Sequence, residues 1–258
     1  MTTSSFDQVS AKTHQNGGAG APHDRYTRVA IVLHWAIAAF IIFNLGTGFL
    51  NMGTGLFMGG WPPSISMLAL SLHVSSGITV LALTVVRVAW RLLNEPPPYP
   101  AGMKPWERHA AHFAHFLLYA AMVLMPLSGW AMLSAHSPPG SRGAIAEFAH
   151  LPDAPPGMKP GTAPPGAMRP RLTGPPPSTK IWNLIPMPMI APIEAIGEEP
   201  GGVPAQHKLH EEFAEWHSVG GWLLLGLLVL HVLGALKHQF IDRESEFARM
   251  GIGRRKLP

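Results

Sequence analysis

Apolar residues fall into four long runs, at about 30–49, 65–90, 110–133 and 216–236, each bordered by polar or basic positions. Each run is close to the roughly twenty residues an α-helix needs to cross a hydrocarbon core of about 30 Å. The pattern predicts an all-α membrane protein, a four-helix transmembrane bundle with a long Pro-rich loop between the third and fourth helices. That loop, about 134–212, is dense in Pro and Gly through SPPGSRGAIAEFAHLPDAPPGMKPGTAPPGAMRPRLTGPPPSTK and reads as extended linker. The following IWNLIPMPMIAPIEAI is apolar but broken by prolines. Repeated prolines prevent a regular fifth helix, so this part is expected to form a re-entrant or interface-lying lid. HKLHEEFAEW has an amphipathic pattern and is expected to extend the fourth helix out of the membrane. Residues 1–24 show no periodicity and read as a disordered tail. The expected organisation is that tail followed by one membrane domain, 25–258, carrying a Pro/Gly-rich insertion at about 137–178.

Composition agrees with a chain built for lipid: 13% of the 258 residues are charged and 47% are hydrophobic. The net charge of +4 does not point to nucleic acid, because the basic residues mostly flank the apolar runs. Only six of the nineteen Lys and Arg residues lie in the long loop. The bias predicts both termini in the cytoplasm and the long loop on the opposite, periplasmic side, with the first span serving as an uncleaved insertion signal. Cysteine is absent, which excludes disulfides, thiolate metal sites and covalent c-type haem. Fourteen histidines remain as ligands.

Two of them, His217 and His231, lie within the fourth apolar run and its approach, fourteen residues apart. Fourteen residues make almost four helical turns and rise about 21 Å, so both imidazoles share a face at opposite depths. An ionisable group inside a span points to function because its burial is costly. His34 lies six residues inside Arg28, and His231 lies six residues before Lys237, so these two match in depth near the cytoplasmic side. His73 lies fourteen residues before Arg87, which matches it with His217 near the periplasmic side. Two imidazole pairs at two depths are what two six-coordinate b haems require. Ser75, Ser76 and Gly77, with Ser218, Gly220 and Gly221, leave room beside the ligands for a flat macrocycle, although close helix packing uses the same residues. His210, seven residues before His217, competes for the outer position but would stand about 31 Å from His231, at or beyond the membrane surface. His112 and His115 are placed to reach a haem propionate or a quinone carbonyl, or to be satisfied by water and headgroups. Arg28 and Arg87 suit propionates, or serve as snorkelling anchors.

The runs RYTRVAIVLHW, LHVSSG with VVRVAWRL, AHFAHFLLY, and WHSVGGW through LVLHVLGALKHQFIDRE resemble the bacterial cytochrome b561 family across all four spans. The resemblance implies two b haems on His34, His73, His217 and His231 and electron exchange with ubiquinone or another quinone. Some members of that family look like superoxide oxidases, which take electrons from periplasmic superoxide and pass them to ubiquinone. The expectation is therefore a di-haem cytochrome moving electrons between a periplasmic donor, superoxide or a redox protein, and membrane quinone. The alternative is a haem-bearing anchor subunit of a larger complex, similar to the b subunits of hydrogenases and formate dehydrogenases. The Pro-rich insertion is a departure from the family pattern beside the outer haem edge. Oligomeric state and direction of electron flow stay open.

Overall fold

A helix whose apolar residues run all round its axis has no aqueous face and is stable only where lipid or other helices surround it. Four helices of this kind dominate the computed structural model, which describes residues 25–51, 62–99, 102–135, 179–199, 202–244 and 246–253. They are α1 (Arg28–Asn51), α2 (Pro63–Leu93), α3 (Pro105–Ser134) and α5 (Gly202–Phe240), each long and apolar enough to cross a membrane. Large apolar side chains cover their outward faces: Val32, Leu68, Phe116 and Leu223 are all more than half exposed. The tail 1–24 and the insertion 137–178 lie outside the described residues.

Local chemistry sets the helix ends. Prolines at the first positions of α2 and α3 preset the helical φ where no N–H is needed. At the start of α3 the Glu107 carboxylate turns back to accept the Lys104 N–H at 3.0 Å. Pro126 inside α3 removes the N–H that would bond the Met122 carbonyl, so one bond of the helical ladder is missing one turn from Trp130. With 39 residues, α5 is about 58 Å long and projects well beyond a bilayer core. Its first turns include HKLHEEFAEW, so that segment continues the fourth helix as expected.

The helices form two hairpins, α1 with α2 and α3 with α5, joined where α2 packs on α3. Among the described residues α5 makes no extended packing against α1 or α2. A gap therefore runs along the bundle between α5 and the first hairpin. One end of the bundle, here the loop end, carries the α1–α2 and α3–α5 connections. The other, the terminal end, carries the starts of α1 and α3 and the end of α5. A one-turn helix α6 (Glu246–Arg249) folds back there, where Arg25 Nε donates to the Ala248 carbonyl and Trp35 Nε1 to the Met250 carbonyl, both at 3.0 Å.

The segment 179–199 takes a definite form. Strands β1 (Lys180–Ile181) and β2 (Ile185–Pro186) pair antiparallel, followed by the short helix α4 (Ala191–Glu194) and a 3-10 turn (Ala195–Glu198). The hairpin turn holds Trp182 and Asn183 at φ of 51° and 57°. A left-handed tryptophan is costly, and tertiary bonds hold it there. Trp182 N–H donates to Ser75 Oγ at 2.8 Å, its indole N–H to Thr79 Oγ1 at 3.0 Å, and its ring lies 6.2 Å from Phe40. Thr79 is six residues further along α2 than His73, so the turn enters the bundle about 9 Å past the His73 level. The strap then crosses α3, where Trp130 Nε1 donates to the Pro188 carbonyl at 2.7 Å and Ile190 N–H to Ser134 Oγ at 3.0 Å. Gln206 Nε2 on α5 closes it by donating to the Ile193 carbonyl at 3.1 Å.

Candidate functional site: two histidine layers

Each long helix places a marked residue at two positions fourteen residues apart: His34 and Gly48 on α1, His73 and Arg87 on α2, His115 and Gly129 on α3, His217 and His231 on α5. The antiparallel course of neighbouring helices sorts these eight positions into two layers. The loop-end layer holds Gly48, His73, Gly129 and His217, and the terminal-end layer holds His34, Arg87, His115 and His231. Halfway between, seven residues from each, lie Ile41, Val80, Met122 and Leu224. These four and Ile37 make up the buried apolar cluster of the bundle. The helices thus share a heptad phase, and it separates the two layers by a buried apolar septum.

In the loop-end layer the His73 and His217 rings face each other across the gap with centroids 5.9 Å apart. A carbonyl oxygen only accepts, so the 3.0 Å contact of His73 Nδ1 with the Asn44 carbonyl makes Nδ1 the protonated nitrogen. Asn44 is itself held by its Nδ2, which donates to the His73 carbonyl at 2.7 Å and to Ser76 Oγ at 2.8 Å. On the other side Ser128 Oγ donates to the Met125 carbonyl and stands 2.9 Å from His217 Nδ1, so its oxygen accepts the His217 N–H. Both imidazoles thereby present an unprotonated Nε2. Glycine is required beside each ring. A Cβ on Gly48 would stand 2.9 Å from His73 Cε1, and one on Gly129 would stand 3.1 Å from His217 Cε1. The two histidines line a cleft of about 1010 Å³, including its open mouth, with Gly77, Gly221 and the strap residue Met187.

In the terminal-end layer the His34 and His231 rings are 6.2 Å apart. His115 stands 5.4 Å from His231, closer than His34 does. Its Nδ1 donates to the Ala111 carbonyl at 2.6 Å, so it too presents a free Nε2. Arg87 completes the layer, its Nε donating to Tyr119 Oη at 3.0 Å.

Metal–imidazole bonds of about 2 Å on each side of one ion put the ring centroids roughly 6 Å apart. Both pairs have that separation, and the loop-end pair lines an open cleft between α5 and the first hairpin. The residues fit bis-imidazole haem ligation at two levels.

Of the other residues singled out in the sequence, Arg28 and Arg87 share the wall of a cavity at the terminal end. His112 lies away from the layers, its ring 5.1 Å from Tyr99. His210 Nδ1 contacts the Met132 carbonyl at 3.0 Å, which ties α5 to α3 beyond the loop-end layer. His207 lies 3.4 Å from Glu211 on the exposed start of α5. Ser75 and Ser76 are buried in hydrogen bonds to their own helix and, for Ser75, to the strap. Sequence reasoning missed Asn44, Ser128, Gly48 and Gly129. The glycines had a readable signal in the fourteen-residue spacing from His34 and His115. Asn44 and Ser128 had none, because their partners are 29 and 89 residues away.

Residues 25–253 match the family model described as prokaryotic cytochrome b561. The chain is 25% identical over 227 residues to cytochrome b561 homolog 2 of Escherichia coli, covering 88% of this chain and 91% of that protein. It is 26% identical over 111 residues to the probable superoxide oxidase CybB of Yersinia pestis, covering 59% of that protein. It is 34% identical over 106 residues to cytochrome b562 of Cereibacter sphaeroides, covering 63% of that protein.

Proposed function

Because the chain belongs to the prokaryotic cytochrome b561 family, membrane cytochromes of electron transfer that carry b-type haem, we propose that it holds two b haems and moves electrons between a periplasmic donor and membrane quinone. The observation that carries this reading is the pair of facing imidazole couples, 5.9 and 6.2 Å apart, at two levels of one bundle. His73 with His217 would hold one haem and His34 with His231 the other. Haem supplies one-electron exchange at a potential tuned by its ligands.

The chain's own residues do the rest. Asn44 and Ser128 fix the tautomer and orientation of the loop-end ligands. Gly48 and Gly129 leave the space beside them. The septum of Ile41, Val80, Met122 and Leu224 excludes water between the layers, so protons do not follow electrons across. On this reading the terminal end is cytoplasmic, and His115, with His112 three residues away, brings protons from that side to a quinone. With superoxide as donor, two anions are oxidised to two O2, and the two electrons with two protons convert one quinone to quinol.

A specific observation favours a second donor. Among the described side chains from 179 to 216, Glu194, Glu199, Glu211, Glu212 and Glu215 stand against Lys180 and Lys208. A negative rim repels superoxide and attracts a cationic partner. A periplasmic redox protein, with this chain as its haem-bearing membrane anchor, suits that rim better.

The test is spectroscopic and kinetic. The purified protein is expected to show two low-spin b haems per chain and anaerobic reduction by quinol. One haem per chain, or none, would remove the proposal. Stopped-flow reduction by superoxide, compared with a cationic electron-transfer protein at rising ionic strength, separates the donors. A protein donor steered by the acidic rim slows as salt rises, whereas rapid reduction by superoxide restores the oxidase reading.

A further inference from the structure

Between the start of α1 and the end of α2, at the terminal end, lies a second cavity, of about 1300 Å³ counted with its open mouth. Its wall carries four guanidinium groups, from Arg25, Arg28, Arg87 and Arg91, against one carboxylate, Glu95. Like charges around one space repel unless an anion lies between them. Arg87 is engaged inward with Tyr119 and belongs to the histidine layer. Arg91, one turn nearer the helix end, makes no hydrogen bond or ion pair among the described residues, nor does Arg28. Arg25 donates Nε to the Ala248 carbonyl, leaving its terminal nitrogens for another acceptor. Trp90 Nε1 donates to Thr27 Oγ1 at 2.9 Å and pins the two walls together, so the cavity is held by the fold itself.

A second feature says what kind of anion suits it. The rim that continues from these arginines is apolar. Val88, about one turn from Arg91 towards the middle of α2, is 38% exposed, Val85 is 61% exposed, and Val32, one turn beyond Arg28, is 65% exposed. A site with a cationic pocket at the membrane surface and bare hydrocarbon beside it has the two-part character of a phospholipid. Guanidinium forks match tetrahedral phosphate oxygens in a way that a single carboxylate or hydroxyl does not exploit. Basic pockets between transmembrane helices are a known setting for anionic headgroups.

We propose that the mouth of this cavity, formed by Arg25, Arg28 and Arg91, binds a phosphate group, supplied by an anionic phospholipid whose acyl chains run towards the bilayer middle along Val32 and Val88. Neither the haems nor the quinone enters this proposal.

The full chain, in nanodiscs of equal phosphatidylglycerol and phosphatidylcholine, is released and its retained lipid read by native mass spectrometry. The wild type is expected to keep phosphatidylglycerol in preference to phosphatidylcholine. Losing about fivefold per arginine, the Arg25→Gln/Arg91→Gln variant should lower that retention roughly 25-fold. Arg91→Gln alone, at a residue with no hydrogen bond or ion pair among the described residues, guards against a folding artefact and should show the single-arginine loss, while Arg91→Lys should keep most of the binding. Inorganic phosphate added at rising concentration distinguishes the sources. No displacement of phosphatidylglycerol supports the lipid headgroup, and displacement with retention of phosphate supports the same chemistry from solution. Equal retention of both lipids by the wild type without phosphate binding would overturn the proposal, as would a double variant indistinguishable from wild type. Circular dichroism reports the fold and haem absorbance the redox reading, so failure of either is told apart from failure of the lipid site.

Discussion

The two histidine layers are built from the same fourteen-residue spacing but are held by different means. At the loop end, two imidazoles stand between two glycines, each Nδ1 is bonded, and a strap anchored at Ser75, Thr79, Trp130 and Ser134 runs alongside. At the terminal end, three imidazoles share the layer with an arginine, and no Nδ1 partner is seen for His34 or His231 among the described residues. One layer is determined by geometry and neutral hydrogen bonds. The other places an arginine and a third imidazole beside its pair. A single helical repeat can thus support two sites of different character because the opposite wall differs: glycine and serine from α3 at one level, histidine at the other.

The largest effect expected from this contrast is an asymmetry in histidine replacement. His217→Leu leaves His73 without a facing imidazole and should abolish the loop-end haem, halving haem per chain in a pyridine haemochromogen assay. His34→Leu leaves His115 5.4 Å from His231 and should retain part of the terminal-end haem. Only the His34→Leu/His115→Leu double variant should lose it fully. Equal losses from both single variants would show that His115 is no substitute.

Next comes the support behind the ligands. Ser128→Ala removes the acceptor for His217 Nδ1 and should weaken loop-end haem retention by about 10- to 100-fold, the usual cost of losing such a partner. Haem transfer to an acceptor protein measures this, and the terminal-end haem should stay unaffected.

A smaller effect is expected at the glycines. Gly129→Ala forces a Cβ to 3.1 Å from His217 Cε1 and should cost about 1–3 kcal/mol as overpacking. Gly46→Ala meets nothing within 4 Å and should be neutral or stabilising. Thermal unfolding of the two variants side by side tests whether the tightness is local to the ring.

The smallest effect is electrostatic and lies at the terminal end. Lys237 bridges Glu107 at 2.8 Å and Asp242 at 2.7 Å, tying α5 to the start of α3. The hydrogen bond from Lys237, followed by that from His238, holds the Asp242 carboxyl below its ordinary 3.8. A depressed carboxylate pKa contributes stability that is complete above the ordinary value and is lost as pH falls through the lower folded value. Below about pH 4 the terminal end should therefore loosen first. The strap, held by neutral donors and acceptors, should not change. Hydrogen exchange across residues 237–244 and 180–190 reads both in one experiment.

Much of this was legible in the chain. The four spans follow from length and hydropathy; the structure lengthens the first three by four to six residues and carries the fourth back to Gly202, through the amphipathic stretch before it. The pairing of His34 with His231 and His73 with His217 follows from depth, since helical rise is constant. The strap was foreseen as a proline-broken lid, but its form was not. A tryptophan at positive φ is unfavourable by itself and exists only because Ser75, Thr79 and Phe40 receive it.

What the sequence alone determined, then, is everything that depends on one helix at a time: which segments span, which histidines share a face, and how far apart they stand. What only the tertiary structure decided is what faces each histidine across the gap. That includes the Asn44 carbonyl and Ser128 hydroxyl that choose the tautomer, the glycines that make room, and His115 beside His231. The physical reason is that helical periodicity is local and uniform, whereas contacts between helices depend on how whole bundle faces are rotated against one another.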